Sequence, residues 1–291
     1  MNLMNSMDSS FFANVFLLVL AILPSFLLGF YVYIKDEREK ESPSLLANLF
    51  VQGIRSALVV IVVSIIVEFF FGTFNSVLFE AFIGVAFAEE LTKWIHVYRN
   101  TWNHPEFNHI YDAIVYSVFV SLGFATFENL LYVFSSGESF ILSFFVAVLR
   151  SIASVPGHAF FAVFMGYYLG LAKLSSCNKN ELLTRNYLFL SVLIPVLCHG
   201  FFDFCLMTGN LFFIIIFVVF VIFLYIAAFS KIHKHSEILA MFPSLDNESS
   251  LSTNNICPVC GTNLEVGDKY CSECGFCILS YNAGGSNEKV S

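Results

Sequence analysis

Two adjacent carboxylates, Glu89 and Glu90, follow an almost wholly apolar stretch (residues 74–88, FNSVLFEAFIGVAFA), and Lys93 lies one helical turn further on. A carboxylate at bilayer depth costs a few kcal/mol or more, so such residues are rare and usually functional. Four more polar groups interrupt other apolar runs: Glu128, His158, His199 and Asp203. Carboxylates and imidazoles drawn together in an apolar interior are the groups that move protons and activate water.

Spacing says which of them share a face. Glu89 and Lys93 are four apart and stack on one side of a helix, with Glu90 rotated by about 100°. In the structural reading, Lys93 neutralises Glu89 and snorkels to the inner interface near Trp94, which accounts for one carboxylate and not two. Phe124, Glu128 and Tyr132 form a stripe at i, i+4 and i+8, with Asp112 and Tyr116 further down the same helix. His158 follows Pro156-Gly157, where a helix start is expected and its dipole would favour a neutral imidazole. His199 and Asp203 are again four apart, so the aspartate either orients the histidine or points with it at a common centre. Each group alone is equally readable as a buried hydrogen-bonding residue. Together, on separate helices, they describe a convergent polar centre. Counted along their spans, Glu89 lies deeper than Glu128 by six residues, or roughly 9 Å.

The elements that must carry these groups are transmembrane helices. The chain has 291 residues, 57% of them hydrophobic and 12% charged, against about 25% charged in a soluble globule. An all-α polytopic bundle is therefore expected. The net charge of −8 forms no basic stripe, so no nucleic-acid partner is expected. Spans are predicted at Phe11–Ile34, Leu49–Phe71, Val77–Ile95, Ala113–Phe134, Gly157–Leu174, Tyr187–Leu206 and Leu211–Phe229. The short piece Phe140–Val155 would be re-entrant or an eighth crossing. With seven crossings, Lys35, Arg38, Lys40, Arg99, Lys173, Lys179, Arg185, Lys231 and Lys234 share one side, and the opposite loops have no Lys or Arg. The positive-inside rule then puts the N-terminus outside and the tail in the cytosol of a multi-pass cell-membrane protein.

Three regions follow: a transmembrane bundle at 1–235, a polar Ser/Asn-rich linker at 236–256, and a cysteine module at 257–277. Cys257-Pro-Val-Cys260-Gly and Cys271-Ser-Glu-Cys274-Gly are paired knuckles ten residues apart. Four thiolates at that spacing suit tetrahedral structural Zn²⁺ in a reducing compartment. The module resembles the small zinc ribbons appended to prokaryotic membrane proteins, and is open as a docking site for a cytosolic partner.

The order of the intramembrane motifs carries a further likeness. Glu89-Glu90-x-x-Lys93, Asp112-x-x-x-Tyr116 leading into GFATFENLLYV, Arg150 with PGHAFF, and His199-Gly-x-x-Asp203 resemble the successive motifs of the PrsW family of intramembrane proteases. These belong with the CAAX prenyl protease/ABI superfamily, whose motifs run in the same order. The likeness covers residues 75–210 and implies hydrolysis of peptide bonds in membrane-anchored protein substrates. It makes Glu89 the water-activating carboxylate and groups Glu90, Glu128, His158, His199 and Asp203 around it as catalytic residues. His199 and Asp203 match the motif that stabilises the oxyanion. Glu128 stands where the prenyl proteases carry histidine, a departure from the superfamily pattern. The family is often classed as metalloproteases and its prenyl protease relatives as glutamate-dependent, so a divalent metal at the intramembrane site stays open. The rival readings are a proton- or cation-coupled transporter, since buried Glu, His and Asp also make relays, and a non-catalytic sensor using the ribbon for docking.

Overall fold

The computed structural model describes residues 2–35, 40–71, 76–135, 139–177, 179–237 and 263. The linker, apart from its first two residues, and the four tail cysteines lie outside the described residues. Seven continuous helices are present among the described residues. We number them α1 (Asn2–Lys35), α2 (Pro43–Phe71), α3 (Val77–Phe79, Glu80–Phe87 and Ala88–Thr101 in succession) and α4 (Ile110–Ser135). They continue with α5 (Phe140–Cys177), α6 (Glu181–Met207) and α7 (Leu211–Glu237). Six are long and apolar enough to cross a membrane. The seventh, α3, holds the predicted span Val77–Ile95 and is the one made polar by Glu89, Glu90 and Lys93. The protein is a multi-pass membrane bundle.

α4 is the axis of the bundle. Of its most apolar stretch 83% is buried, against 11–39% in the other five spans. Small residues let its neighbours close on it: a Cβ at Gly123 would stand 2.0 Å from the Phe50 carbonyl oxygen, and one at Gly53 would stand 1.9 Å from that of Val120. The backbones of α2 and α4 cross in contact there, as membrane helices do where a hydrophobic drive between them is lacking. Outward faces are apolar and exposed, as at Phe69 and Phe212, where lipid takes the place of water.

The segment expected as a re-entrant piece or eighth crossing, Phe140–Val155, is instead the first part of the unbroken 38-residue α5. Pro156 does not end the helix. A π-helical stretch, Arg150–Ser154, widens the backbone just before it, and the carbonyl of Ile152, four residues back, accepts from the Tyr225 hydroxyl at 3.1 Å. A proline is tolerated inside a membrane helix when the freed carbonyl finds such a partner. In consequence, His158 lies in mid-helix and not at an N-terminus, so the dipole reason for its neutrality does not apply.

A separate polar cluster holds the other end of α4. Asp112 accepts from the backbone N–H groups of Asn108 and His109, and Tyr116 donates to Glu41 at 2.7 Å. Ser42 N–H donates to Glu106 at 2.9 Å. These contacts fasten the connections before α2 and α4, and they place Asp112 and Tyr116 in a cluster of their own, with partners distinct from those of Glu89 and Glu90.

Candidate active site within the bundle

α3 delivers three charged groups at once. Its π-helical stretch Glu80–Phe87 ends immediately before Glu89 and Glu90, and π turns are frequent at functional sites. Lys93 does not snorkel: it is 1% exposed and turns into the bundle. Its Nζ donates to Glu90 Oε1 at 2.8 Å and to Glu89 Oε2 at 3.3 Å. It reaches both carboxylates because they sit three and four residues back, on adjoining parts of one face. The third ammonium proton meets His158 Nδ1 at 3.0 Å, and the Phe124 ring lies 4.1 Å beneath the charge.

α4 and α5 supply the next layer. His158 Nε2 is 2.8 Å from Glu128 Oε2. With a carboxylate on one ring nitrogen and an ammonium donor on the other, the hydrogen bonds require a neutral imidazole carrying its proton on Nε2. Arg150 places Nη2 2.9 Å from Glu128 as an ion pair off hydrogen-bond geometry. Its Nε donates to Asn129 Oδ1 at 3.0 Å, and the guanidinium lies 4.1 Å from the Tyr132 ring centre. The stripe Phe124–Glu128–Tyr132 is thus realised as two aromatic platforms under two cations with a carboxylate between them. Glu128 is linked to Glu89 through two residues in turn, His158 Nε2 meeting Glu128, His158 Nδ1 meeting Lys93, and Lys93 meeting Glu89.

α6 closes the centre. His199 Nδ1 is 2.8 Å from Glu90 Oε1 and its Nε2 is 3.3 Å from Asp203 Oδ2. Phe161 stacks on the imidazole at 4.9 Å. Gly200 admits α3: a Cβ there would stand 2.4 Å from the Phe82 ring, so the π-helical stretch and α6 approach only because that position is bare.

Burial sorts the groups. The side chains of Glu90 and Lys93 are 0% and 1% exposed, whereas those of Glu89, Arg150, Asp203 and Glu128 retain 9%, 16%, 17% and 19%. Glu90, Lys93 and the two imidazoles, at 0–5%, form a floor, and the other four, at 9–19%, make a less buried rim. A carboxylate on such a rim, next to fixed cations, is suited to take a proton from water attacking a carbonyl. All six residues proposed from the sequence as catalytic lie in this one network, joined by Lys93 and Arg150. Neither cation was among the six. The signals that point to them are the three- and four-residue spacing of Lys93 from both glutamates, and an arginine inside an apolar run.

The comparisons with known proteins now decide the family. A family model described as "PrsW family intramembrane metalloprotease" matches residues 41–228. The chain belongs to the PrsW family. The match takes in every residue from Glu89 to Asp203 and leaves the cysteine tail outside. Protease PrsW of Clostridioides difficile (strain 630) is 35% identical over 221 residues, 75% of this chain and 91% of the relative. Protease PrsW of Geobacillus kaustophilus (strain HTA426) is 37% identical over 186 residues, 64% and 77% of the two chains. That of Bacillus subtilis (strain 168) is 33% identical over 188 residues, 64% and 80%. No solved structure matches the chain. As a PrsW family member, the chain is an intramembrane protease.

The family description includes a metal. Glu89, Glu90, His158 and His199 offer four donor atoms within 4.8 Å of one another, of the types that hold catalytic zinc. Glu90 Oε2 is buried with no hydrogen-bond partner among the described residues. The donor types suit an ion; the arrangement does not. Both nitrogens of each imidazole are already engaged, by Lys93 and Glu128 at His158 and by Glu90 and Asp203 at His199.

Proposed function

We propose that this PrsW family member hydrolyses peptide bonds of membrane-anchored protein substrates, with Glu89 as the water-activating base. The observation that carries the assignment is the division between the two neighbouring carboxylates. Glu90 Oε1 is held by both Lys93 and His199 at 2.8 Å, whereas Glu89 has one longer contact, at 3.3 Å, and keeps access to the rim. Glu89 takes a proton from a water molecule as its oxygen attacks the scissile carbonyl carbon. With a carboxylate on each ring nitrogen, His199 is held as an imidazolium, and its positive charge is what it offers the oxyanion of the tetrahedral intermediate. Collapse breaks the C–N bond, and the proton on Glu89 passes to the leaving amine. Glu128, fixed by Arg150, holds His158 in the tautomer that receives Lys93, and so keeps the cation against Glu89. A bound divalent ion would polarise the carbonyl or the water; because the imidazoles are engaged, no step here passes through one.

The same centre could serve as a proton relay; membership of the PrsW family favours proteolysis, and within the centre Glu89 is the less buried and less fully bonded of the adjacent pair. Glu89→Gln should abolish cleavage of a membrane-anchored substrate in proteoliposomes while the protein inserts and binds normally. Undiminished cleavage would remove Glu89 from the role. For topology, we propose the N-terminus outside and the tail cytosolic, since Lys35, Arg99 and Lys173 fall toward the C-terminal ends of α1, α3 and α5 and Lys40 lies just before the start of α2, all on one side of an alternating bundle. We retain Cys257, Cys260, Cys271 and Cys274 as ligands of a structural Zn²⁺ on their spacing alone, in a module separate from the bundle and open to a cytosolic partner.

A further inference from the structure

We infer that Lys93 is the resident cation of a preorganised divalent-metal site formed by Glu89, Glu90 and His158, so that the lysine ammonium and a divalent ion are alternative occupants of one place. The inference deepens the protease reading and concerns the same centre. Three observations carry it. The three ammonium protons are each directed at one of those three side chains, at 2.8, 3.0 and 3.3 Å. An ammonium has three donors and no acceptor, so its demand is complete. Next, Glu128 binds His158 Nε2 at 2.8 Å and turns the Nδ1 lone pair toward the cation. A carboxylate behind an imidazole is the device that orients a histidine toward a metal; here the histidine meets a lysine. Lastly, Glu90 Oε2 is a buried acceptor without a hydrogen-bond partner among the described residues, so Glu90 has an oxygen at the floor that Lys93 leaves unused.

Removing the ammonium frees one imidazole nitrogen and oxygens of two carboxylates on a wall already shaped for positive charge. One histidine and two carboxylates suit a divalent ion of intermediate hardness such as Mn²⁺. While the lysine is in place, its charge and its hold on all three ligands oppose that ion.

The test counts metal and needs no substrate, so its failure is separate from failure of Glu89 as base. Mn²⁺ binding to the detergent-purified full chain is followed by electron paramagnetic resonance, with Mn²⁺ chosen because the tail thiolates disfavour it. Lys93→Met should bind one equivalent at least about ten-fold more tightly than the wild type, as expected from removing a charge beside the ion, and Lys93→Met/His158→Ala should lose it. Wild-type binding as tight as that of Lys93→Met, and lost in His158→Ala, would overturn the proposal. If Lys93→Met does not fold, wild-type metal content decides. The full chain should carry at most one tightly bound metal, released by alkylating the tail cysteines, and an equivalent that survives alkylation would refute the lysine as occupant.

Discussion

Glu89 and Glu90 are chemically identical neighbours, and the structure assigns them opposite consequences on neutralisation. Glu90 is fully buried and receives both Lys93 and His199 at 2.8 Å. In Glu90→Gln the shape persists, but a buried cation loses its nearest counter-charge and His199 loses a carboxylate partner. Removing one member of a buried ion pair costs about 3–5 kcal/mol. At about 2–4 °C per kcal/mol for a domain of this size, Glu90→Gln should lower Tm by roughly 6–20 °C. Glu89→Gln removes only the 3.3 Å contact and leaves Lys93 paired with Glu90, so its stability should change by no more than about 1.5 kcal/mol, the worth of an ordinary hydrogen bond. Activity should follow the reverse order. Loss of a general base costs typically ~10²–10⁴-fold, so Glu89→Gln should be a stable, inactive protein. Glu90→Gln should be an unstable one whose remaining folded fraction still turns over. Thermal unfolding in detergent, with cleavage normalised to folded protein in proteoliposomes, separates the two. Equal Tm shifts for both variants, or an unshifted Glu90→Gln, would refute the division of roles.

Arg150→Lys keeps the charge but loses the fork that joins Glu128, Asn129 and Tyr132; cleavage should fall by at least about ten-fold and stability by about 1–3 kcal/mol, and unchanged kinetics would leave Arg150 a packing residue. Burial, with the Asp112 charge beside it, pushes the Glu41 carboxyl up to about 10, so the native state binds its proton more tightly than the unfolded chain. Glu41 therefore leaves stability untouched below about pH 4.5 and costs progressively more as pH rises toward 10. Glu41→Gln keeps an acceptor for Tyr116 and should raise Tm more at pH 8 than at pH 5, and a uniform shift across pH would contradict this. Deleting residues 251–291 should remove one equivalent of zinc by metal analysis and leave cleavage by the bundle intact; loss of activity in a properly inserted truncation would make the tail part of the catalytic unit.

Much of this was legible in the chain. Long apolar runs fix membrane helices because an unpaired backbone cannot be left in lipid, and carboxylates or imidazoles inside them stand out for their cost. Helical spacing foretold the pairing of Glu89 with Lys93, that of His199 with Asp203, and the Phe124–Glu128–Tyr132 stripe, since successive members of each lie four residues apart on one helix face. The sequence could not say which way Lys93 points. Snorkelling and inward burial are both open to a long side chain, and the choice depends on acceptors brought from other helices, above all His158, 65 residues away. Nor could it show that Pro156 lies inside an unbroken helix, because the hydroxyl that satisfies the freed carbonyl comes from Tyr225, 73 residues on. The division between Glu89 and Glu90 is likewise tertiary. Their identities are the same, and only the packing of α6 against α3, allowed by the missing side chain at Gly200, shuts one of them in and leaves the other at the rim.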